Sequence, residues 1–145
     1  MSTTHHITRA AELESLPVFR GFIADACRQH PGVDAQTVYD LQLAVDEACT
    51  NIITHGYADM NPVSIILSLD LEPDRVVMTL TDFGHAFEPS ATPAPDPGAA
   101  LEERPTGGFG LYFIYQTMDS VDYRTADEAG NQLILIKRLR APAGR

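Results

Sequence analysis

Residues 35–84 read AQTVYDLQLAVDEACTNIITHGYADMNPVSIILSLDLEPDRVVMTLTDFG, and two periodicities meet inside them. Between Ala35 and Thr54, Val38, Leu41, Val45, Ala48 and Ile52 recur at steps of three and four, the apolar stripe of a helix. Asp40, Glu47, Asn51 and Thr54 fall on a different face, and His55-Gly56 closes the helix with Gly56 as C-cap. From Val63 the period drops to two. Ile65, Leu67, Leu69 and Leu71 alternate with Ser64, Ser68 and Asp70, Glu72-Pro73-Asp74 turns the chain, and Arg75 to Asp82 returns with Val76, Met78 and Leu80 on one face. A helix followed directly by an antiparallel hairpin belongs to folds that segregate their helices and strands, which is the α+β class.

The flanks extend this pattern. Thr4 to Arg9 reads as a short first strand, and Leu16, Phe19, Phe22, Ile23 and Ala26 form a second helical stripe. Ser15 suits its N-cap, Pro17 its first turn and Pro31-Gly32 its end. Beyond Gly84 the periodicity disappears until Gly108, through Pro89, Pro93, Pro95, Pro97 and Pro105; a long unpatterned stretch between strong elements reads as a functional lid. Gly110 to Met118 then reads as a helix, and Val121 to Thr125 and Leu133 to Leu139 as strands joined through Glu128-Ala129-Gly130-Asn131. The expected architecture is one domain over residues 1–145: a two-layer α/β sandwich with a mixed, mostly antiparallel sheet, helices on one face and a lid near 88–107.

Composition narrows the function. Of 145 residues 44% are hydrophobic and 21% charged, enough to build a core without metals or disulfides. No apolar run approaches the roughly 20 residues of a membrane helix, and the N-terminus lacks a signal-peptide layout, so a soluble cytoplasmic protein is expected. The net charge is −10, and Lys137, Arg138, Arg140 and Arg145 are the only charged groups of the last nine residues. A surface this acidic repels phosphodiester backbones, so nucleic-acid binding is not expected; an anionic ligand must be held by local amides or a metal ion. Cys27 and Cys49 sit among apolar residues and read as buried, reduced thiols.

Several signatures are absent: no GxxxxGK[ST] loop, no HExxH, no GxSxG, no GxGxxG between a strand and a helix. Asp82-Phe83-Gly84 spells a motif of eukaryotic-type protein kinases, but 145 residues cannot hold that bilobal fold and its partner motifs are missing. Three features remain. Glu47 and Asn51 project one turn apart from a helix face, where a carboxylate can accept a proton and an amide oxygen can hold Mg²⁺; a solvated polar face has the same pattern. Asp82 followed by Gly84 at a strand end can accept from a ligand amino group that comes close to the backbone; a plain strand-terminating turn looks alike. Gly107-Gly108-Phe109-Gly110-Leu111 opens a helix, where backbone N–H groups attract phosphate, although alone such a start is weak.

In this order, with a lid between the second and third, the constellation resembles the Bergerat-fold (GHKL) ATPases, which include gyrase, histidine kinases and MutL. Glu47 and Asn51 match the N box, Asp82-Phe83-Gly84 the G1 box and Gly108-Phe109-Gly110-Leu111 the G2 box. The short chain leaves no room for a dimerisation helix pair or a transducer domain. EACTNIITHGY, DFGHAFEP and RPTGGFGLYFI resemble the anti-sigma-factor serine kinases of the RsbW and SpoIIAB type, over roughly residues 5 to 140. One departure lies near the adenine, where that branch places Thr after a glycine and this chain has Asn131 after Gly130.

The resemblance implies ATP and Mg²⁺ as cofactors and a role for each matching residue. Glu47 would be the general base on a serine hydroxyl, Asn51 the Mg²⁺ ligand and Asp82 the acceptor of the adenine amino group, with Gly84 permitting close approach. Gly108, Gly110 and Leu111 would meet the phosphates, Asn131 the base, and Arg104 the terminal phosphate, unless Arg104 pairs locally with Glu102 or Glu103. His55 and His85 could line the pocket, and a structural role is the reading preferred for each. The implied partners are a small anti-anti-sigma (STAS-type) protein as substrate, a sigma factor or other regulator that is sequestered, and a second copy of the chain in a homodimer. An ATP-binding sequestration module without phosphotransfer, or a nucleotide-independent adaptor, are the alternatives.

Overall fold

The computed structural model describes residues 2–57, 60–85, 114, 116–126 and 130–139. Five strands form one sheet: β1 (Thr3–Ala10), β2 (Ser64–Leu71), β3 (Arg75–Asp82), β4 (Ser120–Ala126) and β5 (Gly130–Arg138), in the order β1-β2-β3-β5-β4. Every pairing is antiparallel, where the sequence pattern allowed a mixed sheet. The reason is topological: the β4–β5 hairpin places β5 beside β3, so that β4, reached through residues 83–119, becomes an edge. Helices α1 (Leu16–Cys27) and α2 (Ala35–Asn51) pack on each other, and α1 also lies against β1 and β2.

The period-two pattern puts Ile65, Leu67, Leu69 and Leu71 of β2 and Val76, Met78 and Leu80 of β3 into the core, joined by Leu133 and Leu135 of β5. From the helices come Phe19, Ile23, Leu41, Val45, Ala48 and Cys49. Burying one such large side chain contributes roughly 1.5–3 kcal/mol. The other sheet face carries Ser68, Thr79, Thr81 and Gln132 among partly exposed apolar residues. Among the described residues no helix is long and apolar enough to cross a membrane. Both cysteines are free and buried; burial pushes the Cys27 thiol up to about 11 and the Cys49 thiol well above its ordinary range.

Local chemistry departs from the sequence expectations at both helix ends. Ser15 stands at the α1 N-cap, but its hydroxyl donates to the Ala10 carbonyl at 2.7 Å, because a 3₁₀ turn (Leu13–Ser15) runs straight into the helix. Asp34 caps α2, accepting from the Thr37 amide at 2.8 Å. At its far end α2 stops at Asn51 and widens into a π-turn, Ile52–Gly56, closed by Tyr57 N–H on the Ile52 carbonyl at 2.9 Å. Gly130 is the one described glycine with positive φ, so Gly56 does not cap the helix through a left-handed conformation. Ile114, Gln116 and Thr117 are helical, as the reading of 110–118 expects; the rest of that helix and the lid lie outside the described residues.

Candidate functional site

The end of α2, the end of β3 and the start of β5 converge on one corner. The β3–β5 register sets Asp82 opposite Asn131. β5 begins at Gly130, three residues before the sequence pattern suggested, because Gly-Asn-Gln reads as turn chemistry and hides a strand start. With φ at +84° Gly130 adopts a conformation that favours glycine, and a Cβ there would crowd the Asp82 carbonyl at 2.6 Å and the Phe83 ring at 2.9 Å.

Asp82 is 3% exposed and Asn131 6%. Asp82 Oδ1 accepts from the Gly84 amide at 2.9 Å and from Asn131 Nδ2 at 3.1 Å. Asn131 Nδ2 also donates to the Gly84 carbonyl at 2.9 Å, so both its protons are committed to holding this turn. With Oδ1 occupied, Oδ2 of Asp82 is the oxygen left for a ligand amino group. Burial raises the Asp82 carboxyl above its ordinary 3.8, against the opposing pull of the Gly84 amide and the Asn131 side chain.

Gly84 is where two backbones meet: a methyl there would overlap the Gly56 carbonyl. That same carbonyl accepts from the His85 amide, and Tyr57 Oη accepts from the Phe83 amide at 3.0 Å. The amides of three consecutive residues, 83 to 85, are thus all held, and the exit of α2 is fastened to the exit of β3. Tyr57 closes the EACTNIITHGY stretch, and the sequence alone assigns it no role of its own. His55 and His85 are exposed.

Asn51 is 3% exposed at the last position of α2, and its Nδ2 is buried without a partner. An orphaned buried amide costs about 1–3 kcal/mol unless a ligand satisfies it. Turning the amide about its last torsion exchanges Nδ2 for Oδ1, so the group suits either a phosphate oxygen or a hard cation. Among the described residues no three His, Cys, Asp or Glu side chains gather to hold a metal by themselves. Mg²⁺ commonly takes only one or two protein ligands and completes its shell with phosphate and water, which matches the chemistry of a lone asparagine.

Glu47 lies one turn earlier and is half-buried. Burial lifts its carboxyl above 4.5, with the neighbouring Asp46 charge adding to the rise. Asp46 is itself paired: Arg20 Nη1 of α1 reaches both of its oxygens, at 2.8 and 3.0 Å. The structure thus brings Asp82, Gly84 and Asn131 into direct contact and sets Glu47 and Asn51 on the helix that abuts them. Arg104, Gly108, Gly110 and Leu111 lie outside the described residues.

Asp82→Asn separates what the site costs from what it does. A carboxyl whose folded pKa is raised stabilises most below its unfolded value near 3.8, and that contribution is lost as pH rises through the folded value. The variant keeps an oxygen for the Gly84 amide, so its melting temperature relative to the unmodified protein is expected to climb from pH 3 to pH 7. Thermal melts across that range check it; a constant difference contradicts the raised carboxyl.

Comparison with known proteins agrees with this geometry. The family described as the histidine kinase-like ATPase domain matches residues 9–137. The serine-protein kinase RsbW of Halalkalibacterium halodurans is 31% identical over 113 residues, 75% of this chain and 67% of that one. The serine/threonine-protein kinase BtrW of Bordetella bronchiseptica is 29% identical over 93 residues, 64% of this chain and 66% of that one. The crystal structure of the RsbU and RsbW domains of a Mycobacterium tuberculosis protein shares the fold with a TM-score of 0.65 at 19% identity, covering 97% of this chain and 33% of that one.

Proposed function

Because this chain belongs to the histidine kinase-like ATPase domain family, we propose that it is a serine/threonine protein kinase of the anti-sigma-factor type. In this reading it binds Mg-ATP, phosphorylates a small anti-anti-sigma (STAS-type) protein, and sequesters a sigma factor or related regulator as a homodimer in the cytoplasm. The observation that carries the reading is the buried Asn51 amide with its unpartnered nitrogen, one turn from a half-buried carboxyl and on the helix whose exit is fastened beside Asp82.

Each residue has a task. Asp82 Oδ2 accepts from the adenine amino group, and Asn131 keeps Asp82 Oδ1 turned inward. The absent Cβ of Gly84 lets the turn lie close against the end of α2. Asn51 is the side chain that would hold Mg²⁺ at the phosphates, where the ion neutralises charge on the oxygens. Glu47 accepts the proton of the substrate hydroxyl as the serine oxygen bonds to the γ-phosphorus and the bond to the β-phosphate bridging oxygen breaks. Gly108, Gly110 and Leu111 would present backbone amides to the phosphates, and Arg104 a cation to the terminal one. The added phosphate charge then expels the product from an acidic partner surface and frees the kinase for its second partner.

The test is transfer of labelled γ-phosphate from ATP to a purified STAS-type protein, with the modified residue located by mass spectrometry. Phosphoserine or phosphothreonine on that protein supports the reading. ATP binding without transfer to any STAS-type partner leaves a sequestration module and overturns the kinase claim.

A further inference from the structure

We propose that Tyr57 is a positioning residue that prebuilds the base-reading turn Asp82–His85 before any nucleotide arrives; this rests on the proposed ATP site and deepens it. The β2–β3 register pairs Ile65 with Asp82, so the next opposed residues are Ser64 and Phe83. There the ladder is interrupted. Tyr57 Oη donates to the Ser64 carbonyl at 2.8 Å and accepts from the Phe83 amide at 3.0 Å, standing between two backbone groups that face each other across the pair. Its one proton and one lone pair make a two-bond bridge between the strands just past the last direct pair of the ladder.

The bridge stands where the site begins. β3 ends at Asp82, and the residues after it meet the exit of α2, where the His85 amide donates to the Gly56 carbonyl and Gly84 lies against the same group. Asp82 Oδ1 then closes on the Gly84 amide. The ring that does this is 4% exposed, and the π-turn that widens the end of α2 carries it. Among the described contacts Tyr57 touches no group assigned to the ligand, so it acts through Phe83 and the turn. It sets the direction of Asp82 and leaves the phosphate end alone.

Tyr57→Phe keeps the ring and removes the bridge. The measurement is binding of ATP and of the purine riboside triphosphate that lacks the 6-amino group, to the full chain with Mg²⁺. The unmodified protein is expected to prefer ATP, and the variant to lose about tenfold of that preference, the effect of one displaced hydrogen bond. Binding of inorganic tripolyphosphate is expected to stay the same in both. A variant that loses thermal stability yet keeps the full preference for the 6-amino group overturns the proposal and shows a structural role only. If the unmodified protein binds ATP and its analogue equally, the assignment of Asp82 to the base falls first, and this inference with it. Should Tyr57→Phe fail to fold, amide exchange on the unmodified, nucleotide-free protein decides: protection at Phe83 supports a prebuilt turn, and exchange at the free-loop rate overturns it.

Discussion

Asn51→Ala is expected to weaken magnesium-dependent ATP binding by at least about a hundredfold while leaving the nucleotide-free protein as stable as before, or more so. The two halves come from the same observation. The Asn51 amide is buried with its nitrogen unpartnered, so without ligand it is carried at a cost of about 1–3 kcal/mol. Truncation removes that cost, partly offset by the small cavity left behind. In the proposed complex the amide is one of the protein's contacts to the charged end of Mg-ATP, and a bond to a charged partner is worth on the order of a hundredfold in affinity. Titrations with and without Mg²⁺, beside thermal melts, read both halves. Unchanged affinity would remove Asn51 from the site; a collapsed melting temperature would make it a structural residue.

Glu47→Gln is expected to do the reverse: ATP affinity within about threefold of the unmodified protein and phosphotransfer lower by about 10²–10⁴-fold, the range for loss of a positioned general base. Glutamine keeps the shape and cannot take the proton. The pH profile of the unmodified protein supplies an independent check. Burial and the Asp46 charge hold Glu47 above the ordinary 4.5, so the acid limb of the transfer rate should lie above that value. Single-turnover transfer at saturating ATP measures the step directly, and a variant with full transfer would strip Glu47 of its role.

Much of this corner was legible in the sequence because it rests on local signals. The helix from Ala35, the hairpin from residue 64 to 82 and the pair Glu47 and Asn51 follow from periodicity alone, and the structure places them at nearly the expected bounds. β1 reads weakly since it is an edge strand, paired only to β2 and mostly exposed, so little apolar alternation is required of it. What escaped depends on packing between distant segments. The burial of Asn51 is invisible in a pattern that puts it on a polar face. The start of β5 at Gly130 is written in turn residues, and only the ladder to Asp82 makes it a strand. The hold of Asn131 on the turn is likewise beyond local reading: its amide protons go to Asp82 and Gly84, far away in sequence. Tyr57 joins residues 64 and 83, a link that no local window contains.

Whether this corner binds Mg-ATP is decided by calorimetric titration of ATP into the purified chain, with and without Mg²⁺. Binding near one nucleotide per chain is expected in the presence of Mg²⁺, and far weaker binding in its absence. No heat of binding at millimolar ATP under either condition would contradict it.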